Sequence, residues 1–100
     1  MYAAIRTYRV TDAEELARRV RDEFVPMVRD VPGFVAYYVI DAGGGDLSSV
    51  TICDSREGVE ESTARAADWV GERLGSLIES GPDVMAGDVI VDHARVGATT

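Results

Sequence analysis

Phe34-Val35-Ala36-Tyr37-Tyr38-Val39-Ile40-Asp41 follows directly on Pro32-Gly33. Its β-branched and aromatic residues, opened by a breaker pair, read as a strand. Its alternating faces are Phe34/Ala36/Tyr38/Ile40 and Val35/Tyr37/Val39, and both are apolar. An antiparallel strand with one wet face alternates apolar with polar, so this strand is expected to be covered on both sides. Gly43-Gly44-Gly45-Asp46 then makes a turn, and residues 47–54 return as the other arm of a hairpin.

Working outward, residues 2–10 read as a first strand. Thr11 with Glu14 forms a capping box that starts a helix. Leu16, Val20, Phe24, Met27 and Val31 recur at helical spacing, and Pro26 within the run predicts a bend or register break. A second helix, capped by Asp54 or Ser55, carries Val59, Thr63, Ala66, Val70, Leu74 and Leu77 on its apolar side. It is predicted to stop at Gly81-Pro82. Gly87 then opens a last strand over 88–95. The order is βαββαβ, an α+β ferredoxin-like domain over residues 1–96 with a loose tail over 97–100. Its four-stranded antiparallel sheet carries both helices on one face. The uncovered face of so apolar a sheet predicts a homodimer joined sheet to sheet.

The chain has 100 residues, with 10 Lys+Arg against 18 Asp+Glu and a formal charge of −8; all the cations are arginine. Lys, Asn and Gln are absent. Schiff-base lysine chemistry and substrate-orienting side-chain amides are thereby excluded. The acidic balance with scattered arginines speaks against nucleic-acid binding. One cysteine, Cys53, and one histidine, His93, leave no disulfide within the chain and no thiolate or paired-histidine metal site. No apolar run approaches membrane-spanning length and no export signal is visible, so the expectation is a cytoplasmic protein without a cofactor or metal.

Pro32-Gly33-Phe34 entering the second strand, Trp69 on the second helix and Gly87 before the last strand resemble the antibiotic biosynthesis monooxygenase-like domains of the dimeric α+β barrel superfamily. The resemblance runs from about Met1 to Arg95. It implies a cofactor-independent monooxygenase acting on or binding a planar hydroxylated aromatic, polyketide-like molecule between sheet and helices. The haem-degrading branch resembles this chain only at Trp69: its strand-one asparagine falls near Arg6 or Thr7, and its helix-two histidine has no counterpart. In the polyketide branch, an asparagine one turn before the tryptophan falls at Arg65. These missing amides keep open a non-enzymatic dimeric binding or accessory domain, with a polyketide cyclase or isomerase below it.

Candidate site residues follow. Arg65, Trp69 and Arg73 form a row four apart on the second helix, with Arg73 on the inner flank beside Ala66. Arg73 is the candidate cation opposite a phenolate or carboxylate. Trp69 reads either as an aromatic wall or as a boundary core residue with arginine stems across it. His93, sharing a strand face with Val89 and Val91, is the candidate base at the pocket rim. Tyr37 and Tyr38 point to opposite faces, and Tyr38, grouped with Phe34 and Ile40, is assigned to the pocket. Phe24 and Arg65 complete the binding set. Cys53 is read as a small core residue, about two strand spacings from His93.

Overall fold

The computed structural model describes residues 1–94; the tail expected at 97–100 and the end of the expected last strand lie outside the described residues. Four strands, β1 (Tyr2–Val10), β2 (Phe34–Gly43), β3 (Asp46–Cys53) and β4 (Ile78–Asp88), form one sheet in the order β2-β3-β1-β4. Every neighbouring pair is antiparallel. This is the ferredoxin-like α+β arrangement. β1 sits inside the sheet, and Ala4, Arg6, Tyr8 and Val10 alternate into the buried side. There they meet Leu47, Ser49, Thr51 and Cys53 of β3, all buried, because directly paired residues of antiparallel strands share a face.

Two helical rods cover that face. The first runs α1 (Ala13–Arg19), a π turn (Val20–Phe24) and α2 (Val25–Val28). Its cap is Asp12, whose carboxylate accepts from the Glu15 N–H at 3.1 Å. The expected Thr11 cap is therefore corrected by one residue: the Thr11 hydroxyl faces the Leu77 carbonyl at 3.4 Å, and a carboxylate answers the helix dipole better than a hydroxyl. The register break expected from Pro26 is the π turn. Pro26 has no N–H for the Asp22 carbonyl, and just before it the Val25 N–H reaches back to Val20 O. The second rod is α3 (Arg56–Trp69), capped by Ser55, followed by a second π turn (Val70–Leu74). Each rod's C-terminal end is held by an arginine from the other: Arg65 Nη1 donates to Met27 O and Arg19 Nη1 to Arg73 O, both at 2.9 Å.

Two strand assignments are revised. In β2 the register shifts between Phe34 and Ala36, so the strict alternation breaks and Phe34 joins the face of Tyr37 and Val39. The last strand begins ten residues earlier than expected. The helix ends at the second π turn, a tight turn closes from Leu77 N to Leu74 O, and β4 then runs through Gly81-Pro82. That pair falls where the register against β1 slips between Thr7↔Asp83 and Arg9↔Ser80. An edge strand tolerates a proline at such a slip. Gly87 therefore lies near the end of the strand instead of opening it. The hairpin turn is Gly44-Gly45, with φ of 64° and 92°, the left-handed pair favoured in tight hairpins.

The helix-free face carries Tyr38, Ile40 and Met85 at 53%, 51% and 67% exposure. Among the described residues no helix is long and apolar enough to cross a membrane. The cap assignment is tested by denaturation: Asp12→Ala is expected to cost about 1 kcal/mol, whereas Thr11→Ala stays within about 0.5 kcal/mol of wild type. The reverse ranking would return the cap to Thr11.

Candidate functional site

The two π turns face each other across the buried side of the sheet, and Val20, Phe24, Val70 and Leu74 from them line a narrow cavity of about 30 Å³. Wide turns of this kind recur at functional sites. Three aromatic rings run in series along it: Trp69 to Phe24 at 5.3 Å between centroids, and Phe24 to Tyr37 at 5.5 Å. Such tilted pairs hold one another in fixed orientation. The volume is enough for one or two waters. It adjoins an open groove of about 330 Å³ between the first rod and β2, and Val20, Tyr37, Val39 and Leu47 line both. Glu14, Arg21 and Asp41 stand at the groove.

The cavity floor is Arg6, 2% exposed. Its Nε donates to Ser49 Oγ at 3.3 Å, Nη1 to Thr63 Oγ1 at 3.0 Å and Nη2 to Thr51 Oγ1 at 2.5 Å. All three partners are neutral hydroxyls. Among the described residues Arg6 forms no ion pair, although Arg9, Arg18, Arg19, Arg56, Arg65 and Arg73 all do. A guanidinium keeps its charge under any condition in which the fold exists. The crevice therefore contains a full positive charge that makes one hydrogen bond from each nitrogen and, among the described residues, has no carboxylate partner.

No protein-family model matches the sequence, and the search of curated proteins found no match. Solved structures are similar in fold. A protein of unknown function from Nitrosomonas europaea superposes with a TM-score of 0.78 at 13% identity, covering 96% of this chain and 95% of its own. A monooxygenase from the gene ActVA-Orf6 of Streptomyces coelicolor, in complex with Nanaomycin D, gives 0.73 at 17%, covering 94% and 91%. SnoaB, a cofactor-independent oxygenase from Streptomyces nogalater, gives 0.69 at 11%, covering 91% and 94%. The chain shares its fold with these proteins, two of them oxygenases.

Within this fold the expected site residues separate. Trp69 and Phe24 are buried and line the cavity. Arg73 does not. Its side chain is 59% exposed and pairs with Glu23 at 3.3 Å, on the same oxygen that accepts from Trp69 Nε1 at 3.2 Å. The π turn shifts the helical phase after Trp69, so the inward flank read for Arg73 at α-helical spacing is lost. Tyr38 lies on the helix-free face and Tyr37 takes the inward position, because the β2 bulge reverses the alternation after Phe34. Arg65, between Glu61 and Met27 O, closes a helix end. His93 follows β4 and is exposed, outside the crevice, because β4 has ended at Asp88. Cys53 is fully buried with Ala4, Val31 and Val59.

Sequence reading missed Arg6, Tyr8 and Tyr37. The signal for Arg6 was its phase, two residues from Ala4 and from Tyr8 on the inward side of β1. Burial pushes the Tyr37 hydroxyl up to about 12, against the opposing pull of the Arg6 charge and the Ser49 hydroxyl, and burial also raises Tyr8. Both remain protonated donors at neutral pH and neither serves there as a base. Because folding favours the neutral form of Tyr37, its contribution to stability is complete below pH 10 and is lost as the pH rises towards 12. In a spectrophotometric titration a tyrosine step near pH 12 is expected in the folded protein and should vanish in Tyr37→Phe. A titration unchanged by that substitution would contradict the inward placement of Tyr37.

Proposed function

We propose that this chain binds, and acts as a cofactor-independent monooxygenase on, a planar hydroxylated aromatic small molecule held in the crevice between its sheet and its two helical rods. The observation that carries the reading is the series Trp69, Phe24 and Tyr37 standing over a cationic floor. A ring in the adjoining groove meets Tyr37, the last of that series, and an oxygen on the ring that reaches into the cavity meets a positive charge. The fold shared with a monooxygenase complexed with Nanaomycin D and with a cofactor-independent oxygenase supports the same reading. In such a reaction the electron-rich ring supplies the electrons to O₂. A C–O bond forms at a ring carbon, and the second oxygen leaves as water with the hydrogens lost when that carbon becomes a carbonyl. The protein contributes orientation and exclusion of water.

A second reading, a non-enzymatic binding domain of the same shape, is favoured by one observation. Among the described residues the cavity is lined by no carboxylate and no histidine, so no side-chain base stands against a bound hydroxyl. A homodimer through the helix-free face belongs to both readings. It is supported by Tyr38, Ile40 and Met85 on that face and by Ile90 and Val91, 90% and 82% exposed, just beyond β4. Covering such apolar area is worth roughly 25 cal/mol per Å².

Oxygen uptake with a panel of anthrones and naphthols separates the readings. The oxygenase reading expects uptake above background, reduced by up to roughly 100-fold in Trp69→Phe through misplacement of the ring, with His93→Ala unchanged. Equal background rates in all three proteins would leave the binding domain alone. Sedimentation is expected to give twice the 10.8 kDa of one chain at micromolar concentration; a species at the single-chain mass would remove the dimer.

A further inference from the structure

We infer that Arg6 is an oxyanion receptor, so that the crevice takes a planar aromatic whose leading oxygen is bound as its anion, phenolate or carboxylate, on the guanidinium. The inference rests on the crevice being the binding site and adds the charge state and orientation of what enters it. Burying a cation costs several kcal/mol even after relaxation, and proteins ordinarily meet that cost with a carboxylate. Here the inward faces of β3 and α3 against Arg6 offer Ser49, Thr51 and Thr63 instead. These hydroxyls fix the plane of the guanidinium and take one donor from each nitrogen. Of its five N–H groups, one on each terminal nitrogen is left over. Two free donors on neighbouring nitrogens of a cation are what an oxyanion needs.

The surroundings select an anion of a particular shape. The cavity above Arg6 is about 30 Å³, room for a carboxylate or a phenolic oxygen and not for a ring system, while the adjoining groove of about 330 Å³ takes the ring. The titratable or charged groups facing the cavity are Arg6 and Tyr8 from β1 and Tyr37 from β2; the rods contribute none to its lining. At the groove stand Glu14 and Arg21 from the first rod and Asp41 from β2. Among the described residues the only fixed charge on the cavity lining is positive, and the two tyrosines act as further donors.

Trp69, the only tryptophan of the chain, lines the cavity and reports occupancy whatever the ligand's charge. The test titrates its fluorescence with 4-nitrophenol, 4-nitrobenzoate and the uncharged 4-nitroanisole, with the absorbance of yellow 4-nitrophenolate reporting the protonation of the bound phenol. In wild type, 4-nitrophenol is expected to bind as the phenolate at a pH where free 4-nitrophenol is largely protonated. At least one of the two anions should bind roughly 10- to 100-fold tighter than the anisole, the value of one or two charge-assisted hydrogen bonds. Arg6→Met should erase that preference and leave the anisole affinity unchanged, with a melting temperature no lower than wild type, since a buried charge is exchanged for an apolar chain. Preference for the phenolate or for the benzoate then names the oxyanion.

If 4-nitroanisole binds as tightly as both anions, the Arg6 inference falls and the crevice stands as a neutral binding site. If no probe quenches Trp69, the crevice reading falls with it. Should Arg6→Met fail to fold, the wild-type pH series decides. Phenol affinity must then rise through the phenol's own ionisation while the anisole stays flat, and two flat profiles overturn the proposal.

Discussion

The Arg6 guanidinium, held by hydroxyls alone, is the constraint around which the rest of this molecule is arranged. Its position in the middle of β1 places it under the second rod, and its three partners come from β3 and α3, so its hydrogen bonds join the sheet to the helix layer. Removing any hydroxyl would leave one whole nitrogen of the buried cation without a partner. The same bonds hold a polar group at the centre of the sheet where an aliphatic side chain would otherwise pack. The aromatic series from Trp69 to Tyr37 borders the cavity there. A core that retains a cation where a methionine would pack gives up stability at that point, and such departures from local consistency concentrate where a protein has work to do.

The rods leave their own mark on the crevice. Both lose α-helical register beside it, the first where Pro26 withholds an N–H and the second beside Gly71 and Gly75. The helix ends beyond the π turns are nevertheless fixed, because Arg65 and Arg19 each reach across to carbonyls at the end of the opposite rod. A guanidinium can hold a carboxylate of its own helix and a foreign carbonyl at once, as Arg19 does with Glu15 and Arg73 O. A lysine, with one compact charge, fixes such a fork poorly. Three of the ten arginines therefore stand where the fork matters, at one buried floor and two helix ends.

How much of this was legible depended on which signal each residue carried. The βαββαβ order, the limits of β1 and the break at Pro26 followed from alternation, helical spacing and the missing proline N–H, all of them local. The last strand did not, because Gly81-Pro82 reads as a stop in the sequence and is a register slip on an edge strand in the fold. Tyr38 was preferred to Tyr37 by an alternation that breaks at Val35–Ala36, where a bulge depends on the partner strand. Arg73 was turned inward by α-helical spacing carried through a segment that is π-helical. Arg6 was legible in principle. Its inward phase on β1, with Ser49 and Thr51 on one parity of β3 and Thr63 on the apolar stripe of the helix, is a set of polar residues placed where apolar ones belong. Each alone looks like tolerance, and only their convergence distinguishes a site.

The charge distribution also bears on how a ligand would arrive. The chain carries a formal charge of −8, and the groove presents two carboxylates, Glu14 and Asp41, against one cation, Arg21. An acidic rim repels an approaching anion, whereas a neutral phenol crosses it without that penalty. On the floor the balance is reversed, since Arg6 favours the anion in a site where little water screens it. An acidic exterior over a cationic interior thus favours admission of the protonated form and retention of the deprotonated one. No side-chain base is then required at the oxygen itself, because the shift in the ligand's own acidity does that work. The phenolate is also the more electron-rich form of the ring, the one able to give an electron to oxygen. The absence of histidine and carboxylate from the cavity lining is therefore compatible with chemistry there, provided the ligand is acidic enough for one arginine to tip its equilibrium.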